Sequence, residues 1–219
     1  MQSPRIALIH ATPLAIDPIV GAFRDLWPEA RTTNLLDDSL APDLAADGRL
    51  TDRMTGRFVA LARYAHGCGA NAILFTCSAF GPAIEAARAA VGIPVLKPNE
   101  AMFEEALAAG TRIGLIATFG PSIPALKAEL ELQAKQKNID ISIACREAAA
   151  ALAALHAGRT DEHDRLIAAA AEEIGDCDAL ILGQFSMAGA AAVIKPRGRR
   201  KVLTSPASAV IQLKRLLSA

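Results

Sequence analysis

The residues best suited to chemistry stand in the stretch Asn71-Ala-Ile-Leu-Phe-Thr-Cys-Ser-Ala-Phe-Gly-Pro82. Ala72 to Phe75 is a short apolar run of the kind that forms a strand buried on both faces. Small, polar and turn-forming residues interrupt it, and an Ala-rich helical pattern follows from Pro82 to Val91. Cys77 therefore falls on a strand-to-helix turn, at the carboxyl end of a strand, where open α/β sheets hold their ligands. The backbone N–H groups of Ser78, Ala79 and Phe80 face the same space at the helix N-terminus, a ready site for an anion. That environment lowers a thiol's pKa and makes it a better nucleophile or base. A cysteine taken at random is more often a small core residue, so position is what argues for chemistry here.

The other three cysteines, Cys68, Cys145 and Cys177, lie beside or inside apolar segments and read as structural. No C-x-x-C pair and no histidine at metal spacing accompanies them, so neither a metal site nor a disulfide framework is expected. Lys97 and Glu100 are the charged residues at a second strand-to-helix turn. Lys97 has the charge to pair with a substrate carboxylate, against the alternative of a solvated lysine beside a glutamate favoured by the helix dipole. His10 ends the first strand pattern and reads more readily as a satisfied core histidine than as a ligand. His156, His163 and the Glu162-His-Asp164 run have surface character and receive no catalytic role.

The elements that must position these residues alternate along the chain. Strand patterns occupy Arg5 to His10, Arg31 to Leu36, Ala72 to Phe75, Pro94 to Leu96, Arg112 to Ala117, Ile139 to Ala144, Asp178 to Leu182 and Lys201 to Leu203. Helical patterns occupy Ile16 to Trp27, Leu50 to Cys68, Pro82 to Val91, Glu100 to Ala109, Ser122 to Lys137, Glu147 to His156, Glu162 to Ile174, Met187 to Ile194 and Ala207 to Leu217. Asp37 to Gly48, polar and marked by Pro and Gly, reads as a surface loop, and Ser122 as a helix cap. Alternation of this kind predicts an α/β fold with a largely parallel sheet in each half.

Composition narrows the function class. Lys+Arg and Asp+Glu both number 23, so nothing global points to nucleic acid or an anionic membrane. The basic cluster Lys195-Pro-Arg-Gly-Arg-Arg-Lys201 is broken by Pro and Gly and reads as a solvated loop, with phosphate binding the lesser alternative. No apolar run approaches the roughly 20 residues that span a bilayer, and the start carries no secretory signal pattern, so a cytoplasmic protein is expected. Neither first-strand turn, His10 to Leu14 or Ala117 to Pro121, has the Gly-x-Gly-x-x-Gly spacing of a dinucleotide site, and no cofactor is expected.

A repeat organises the whole chain. Arg5-Ile-Ala-Leu-Ile lies over Arg112-Ile-Gly-Leu-Ile with a shift of 107. The same shift places Ala72-Ile-Leu-Phe-Thr-Cys77 on Ala179-Leu-Ile-Leu-Gly-Gln184, and Val95-Leu96-Lys97 on Val202-Leu203-Thr204. The simplest account is two similar lobes related by a pseudo-two-fold axis, with an active-site cleft between them. Residues 1–97, joined by the helix 207–219, form the first, and 98–206 the second. Thr12, Cys77, Ser78, Lys97 and Asn99 are expected on one wall of the cleft. Thr118, Gln184, Phe185, Ser186, Thr204 and Ser205 are expected on the other, with Phe119 and Phe185 shaping it.

These motifs resemble the aspartate/glutamate/hydantoin racemase superfamily, which also contains arylmalonate decarboxylase and maleate isomerase. The likeness rests on Thr76-Cys77-Ser78, Ile93-Pro94-Val95 leading to Glu100-Ala101, Ile113-Gly-Leu-Ile-Ala-Thr118, Leu182-Gly183-Gln184-Phe-Ser-Met187-Ala188 and Val202-Leu-Thr-Ser-Pro206. It implies a cofactor-independent enzyme acting next to a carboxylate of a small acid such as an amino acid or hydantoin. A homo-oligomer is part of the same expectation. In the family's racemases two cysteines face each other across the substrate's α-carbon. The first matches Cys77; the second falls on Gln184, whose amide has no titratable proton. Ser186 stands two residues on, with no base assigned to activate it. Cys77 is thus expected to carry the chemistry as proton carrier or nucleophile. Thr12, Thr76, Ser78, Ala79, Lys97, Asn99, Thr118, Gln184, Phe185 and Ser186 are the expected substrate-binding residues. The alternatives are a single-thiol decarboxylase or a non-catalytic small-carboxylate binding protein.

Overall fold

The computed structural model describes residues 3–218. The chain divides into two compact units, residues 1–101 with 209–219, and residues 102–208. The first unit holds β1 (Arg5–His10), α1 (Ile16–Leu26), β2 (Arg31–Leu36), α2 (Leu40–Asp47), α3 (Asp52–Gly67), β3 (Ala72–Phe75), α4 (Gly81–Ala89) and β4 (Val95–Leu96). The unit boundaries fall inside α5 (Glu100–Ala109) and, near the end of the chain, inside α9 (Ser205–Ser218). The second unit holds β5 (Arg112–Ala117), α6 (Ile123–Gln136), β6 (Ser142–Glu147), α7 (Ala149–His156), α8 (Thr160–Glu173), β7 (Ala179–Leu182) and β8 (Lys201–Thr204).

Each unit is built on a parallel four-stranded sheet, ordered β2-β1-β3-β4 in the first and β6-β5-β7-β8 in the second. The central strands β3 and β7 are buried along their whole length, as continuous apolar runs in a covered parallel sheet must be. The repeat survives at the level of strand register. Ile6 pairs with Ala72 and Ile113 with Ala179; Ile73 pairs with Val95 and Leu180 with Val202, each pair displaced by 107. It breaks at the outer strands, where Arg5 pairs with Arg31 and Arg112 with Ser142, a displacement of 111 in the second partner. The four extra residues extend the connection through α6.

Several expectations give way to local physics. The stretch 37–48 is not a loop, because Leu40 is buried in the core and Gly48, at φ 65°, supplies the left-handed end of α2. Arg57 of α3 ties that helix down, donating to Asp43 at 2.5 Å, to Asp37 at 2.5 Å and to Ser39. Burial raises the Asp37 pKa, but the hydrogen bonds from Ser39 and Arg57 outweigh it and hold the carboxyl below its ordinary value.

The strand expected at 139–144 starts at Ser142, because Asn138 turns left-handed at φ 54° and Ile139 N–H still bonds back to Ala134. Glu147 thereby ends β6 instead of opening a helix. Phe185–Ala192 is a 3-10 helix and not an α-helix over 187–194. His163, read as a surface residue, is fully buried and bonded through Nδ1 to Asp164 at 2.9 Å. Arg200 does not belong to a solvated loop: it folds inward, donating to the carbonyls of Ala171 and Lys195. Conversely Cys68 and Cys145, read as apolar-segment residues, are exposed. Among the described residues no helix is long and apolar enough to cross a membrane.

Candidate active site

The turn after β3 is built around Cys77. Thr76 N–H donates to Ile9 O at 3.0 Å, continuing the β1–β3 ladder one residue past the strand. Ser78–Phe80 then forms one 3-10 turn that runs into α4. Phe58 of α3 clamps both sides of the cysteine: its ring lies 5.2 Å from Phe75 and 4.8 Å from Phe80. Aromatic pairs at these separations add roughly 0.5–1.5 kcal/mol each beyond their buried area. The turn therefore has a fixed apolar underside, while Ser78 and Ala79 are exposed and Cys77 is half-buried.

Burial pushes the Cys77 thiol up from its ordinary value, and the N–H of Ala79 offsets this only in part. The lowering expected from the helix start is thus overruled by desolvation. At neutral pH the resting group is S–H, a stored proton, and it becomes a base only when a ligand or a local rearrangement favours the thiolate.

Beneath the turn lies a polar network, buried at His10 and Thr76 and reaching the surface at Asn34, that sequence order alone does not assemble. His10, fully buried at the end of β1, places Nδ1 2.9 Å from Thr76 Oγ1 and Nε2 3.0 Å from Asn34 Oδ1. Burial lowers the His10 pKa, with the hydrogen bond to Asn34 acting in the opposite sense. Thr76, expected to bind substrate, is buried and spends its hydroxyl on this network. The signal for Asn34 was a polar residue in a weak outer strand, which is unremarked until register sets it beside the first strand.

The remaining first-unit residues are placed at neighbouring strand ends. Thr12 follows β1 and its hydroxyl accepts from Leu14 N–H at 3.4 Å, capping a short 3-10 turn. Lys97 follows β4, and its ammonium pairs with Glu85 at 3.1 Å while its N–H donates to Glu100 at 3.1 Å. Arg88 joins the same cluster, bidentate on Glu100 at 2.6 and 2.8 Å. Lys97 is thus part of an ion-pair network with Glu85, Arg88 and Glu100. Asn99 is buried.

In the second unit the turn after β7 carries Gln184 where the first has Cys77. Its Oε1 accepts from Thr118 N–H at 2.9 Å and from the Thr118 hydroxyl at 3.3 Å, and its Nε2 donates to Ser122 at 3.1 Å. Ser122 Oγ in turn donates to Phe119 O at 2.7 Å, so Ser122 stands at the N-cap position of α6 without capping through its side chain. Gln184 and Thr118, both expected on the substrate, are thereby bonded to each other, and Gln184 to Ser122 as well. Phe185 is buried at 5% exposure, Ser186 is half-buried and Phe119 is exposed. Gly120 N–H is held by Glu147 at 3.0 Å, a contact that the misplaced strand boundary hid. Among the described residues no group of three or more His, Cys, Asp or Glu side chains is arranged to hold a metal ion.

A family profile described as Asp/Glu/Hydantoin racemase matches residues 10–213. No curated protein matches the sequence with significance. Among solved structures, an aspartate racemase homologue from Pyrococcus horikoshii OT3 is similar over 100% of both chains, with a TM-score of 0.71 at 17% identity. A glutamate racemase from Bacillus anthracis gives 0.70 at 16% identity, over 100% of this chain and 83% of that one. A glycine-to-cysteine mutant of arylmalonate decarboxylase, in a sulfate-associated form, gives 0.68 at 20% identity over 99% and 94%. At these identities the likeness is one of fold.

Proposed function

Because the chain belongs to the Asp/Glu/Hydantoin racemase family, we propose that it is a cofactor-independent, cysteine-dependent isomerase of small carboxylic acids, with Cys77 as its proton carrier. The observation that carries this reading is a half-buried thiol on an exposed strand-to-helix turn, with Ser78 and Ala79 N–H groups at the same helix start. Backbone donors of this kind stabilise negative charge developing on carboxylate oxygens as a proton leaves the neighbouring carbon. In that step the Cα–H bond breaks, its electrons delocalise into the carboxylate as an enediolate, and the proton is taken by the Cys77 thiolate. Protonation of the planar enediolate by water on the opposite face inverts the centre, the Cys77 S–H releasing its proton to solvent; return of that proton from Cys77 itself gives back the starting acid.

A second reading is favoured by two facts together: burial keeps the thiol protonated, and the amide at 184 has no titratable proton. Both suit a decarboxylase, in which the C–CO2 bond breaks and the Cys77 S–H protonates the resulting carbanion from one side.

Incubation in deuterium oxide with amino acids, hydantoins and disubstituted malonates, followed by NMR, tests the proposal. Deuterium at the α-carbon with inversion of configuration, read by chiral chromatography, and no loss of carbon dioxide supports the isomerase; release of carbon dioxide supports the decarboxylase. Cys77→Ala is expected to lower either rate by about 10²–10⁴-fold, the usual worth of a positioned acid–base group, while ligand affinity stays within a few-fold. No exchange with any of these acids would instead favour a non-catalytic carboxylate binder.

A further inference from the structure

We propose that His10 is a positioning residue for Cys77, acting through Thr76; the proposal rests on the reading of Cys77 as the reacting group. His10 is the last residue of β1, and the sheet order sets β1 between β2 and β3. Its ring links the two neighbours at their carboxyl ends, reaching Asn34 on β2 at 3.0 Å and Thr76 at the end of β3 at 2.9 Å. Both ring nitrogens are therefore engaged. Neutral His10 fits as the Nε2–H tautomer, donating to Asn34 Oδ1, with Nδ1 accepting the Thr76 hydroxyl proton at 2.9 Å in competition with the longer contact of that hydroxyl to Ile9 O at 3.4 Å. A fully buried imidazole left without these partners would carry an unpaired polar group, so the two contacts hold the ring in place.

The residue after Thr76 is Cys77. Fixing the Thr76 side chain fixes the backbone that aims the thiol, and it does so without using any atom of Cys77. The second unit shows what the brace replaces. The positions that match His10 and Thr76 under the repeat are Ala117 and Gly183. A Cβ at Gly183 would stand 2.8 Å from Leu126 and 3.1 Å from Ile116 O, so there is no room for a hydroxyl brace there. That turn is held by the side chain of Gln184 itself. A turn whose key residue must stay available needs its brace one residue earlier, and the first unit has one.

Thiol alkylation tests this without a substrate. Native protein is treated with iodoacetamide and the rate at Cys77 is read by site-resolved mass spectrometry, with amide hydrogen exchange of β1 and β3 followed in parallel. His10→Phe and Thr76→Val are expected to label Cys77 about fivefold faster, the effect of losing one hydrogen bond, with exchange of β1 and β3 unchanged. His10→Asn, whose amide lies near the place of Nδ1, is expected to return the rate toward wild type. Wild-type labelling in both His10→Phe and Thr76→Val would overturn the proposal, and so would faster labelling accompanied by faster exchange throughout β1 and β3. Thr76→Val keeps the side-chain shape and decides the matter if His10→Phe does not fold. Persistent deuterium exchange in Cys77→Ala would remove the proposed chemistry while leaving this result standing.

Discussion

The turns that carry Cys77 and Gln184 occupy the same place in the repeat and are held by opposite means. In the first, residues on either side of the key position do the holding: Phe75 and Phe80 stack on Phe58, and Thr76 bonds to His10. Cys77 is left half-buried, packed against the core and with the Ala79 N–H directed at its sulfur. In the second, Leu182 and Met187 stand where the first has Phe75 and Phe80, both fully buried, and the key residue supplies the hydrogen bonds. One backbone plan thus yields a turn with an available reactive atom and a turn whose polar atoms are consumed. A strand-end position in an α/β sheet is an opportunity for chemistry, and the neighbours decide whether it is taken.

The largest effect on this contrast is expected from Phe58→Ala. Removing a buried aromatic that packs on both flanks of Cys77 should cost about 3–5 kcal/mol, seen in urea unfolding as a lower midpoint. A cost below about 1 kcal/mol would show that the clamp is not what holds the first turn.

Gln184→Cys sharpens the comparison from the other side. It gives the second turn a proton carrier at the position that matches Cys77 in the repeat, and racemisation of an exchanging acid should rise by about 10²-fold. Polarimetry or chiral chromatography reads the outcome; no rise would mean that proton supply at 184 is not what limits inversion. The same variant strips Thr118 of its acceptor, so a stability loss of about 1–3 kcal/mol should accompany it.

Gly183→Ala probes why the second turn has no brace like Thr76. The new methyl would meet Leu126 at 2.8 Å and the Ile116 carbonyl at 3.1 Å. Overpacking of this kind costs about 1–3 kcal/mol. A neutral result in thermal unfolding would show that Leu126 yields and that the turn tolerates a side chain.

The smallest expected effect is on pH dependence. Burial lowers the folded-state pKa of His10 below its ordinary value of 6.5. As pH falls through that value the unfolded chain takes up a proton that the folded chain resists. Stability from this group is therefore complete above the ordinary value and declines below it, by at most about 1.4 kcal/mol per pH unit. Unfolding free energies at roughly pH 7.5 and 5.5 should fall less in His10→Asn than in wild type. An equal fall in both would mean that His10 accepts its proton freely in the fold.

Much of this architecture was legible in order along the chain. Buried parallel strands are written as unbroken apolar runs, so Ala72–Phe75 and Ala179–Leu182 stand out, and their constant displacement exposes the duplication. The placement of Cys77 after such a strand follows from the same pattern. Helix α2 was hidden because its 8 residues include a proline near the start, and the tie that secures it is Arg57 of α3, a partner distant in sequence. His163 was misread for a related reason: its neighbours Glu162 and Asp164 are polar, and only the packing of α8 turns the imidazole inward.

The sequence by itself determined the two α/β units, the lone cysteine at a strand-end turn and the amide in the matching place, since each follows from residue order and local periodicity. Tertiary structure alone decided which polar groups are already spent. The partners of Thr76, Lys97, Thr118 and Gln184 come from other strands and helices, and hydrogen bonding depends on distances that strand register sets. It also decided that the Cys77 thiol is raised and not lowered, because the cost of leaving water is set by everything packed around the sulfur.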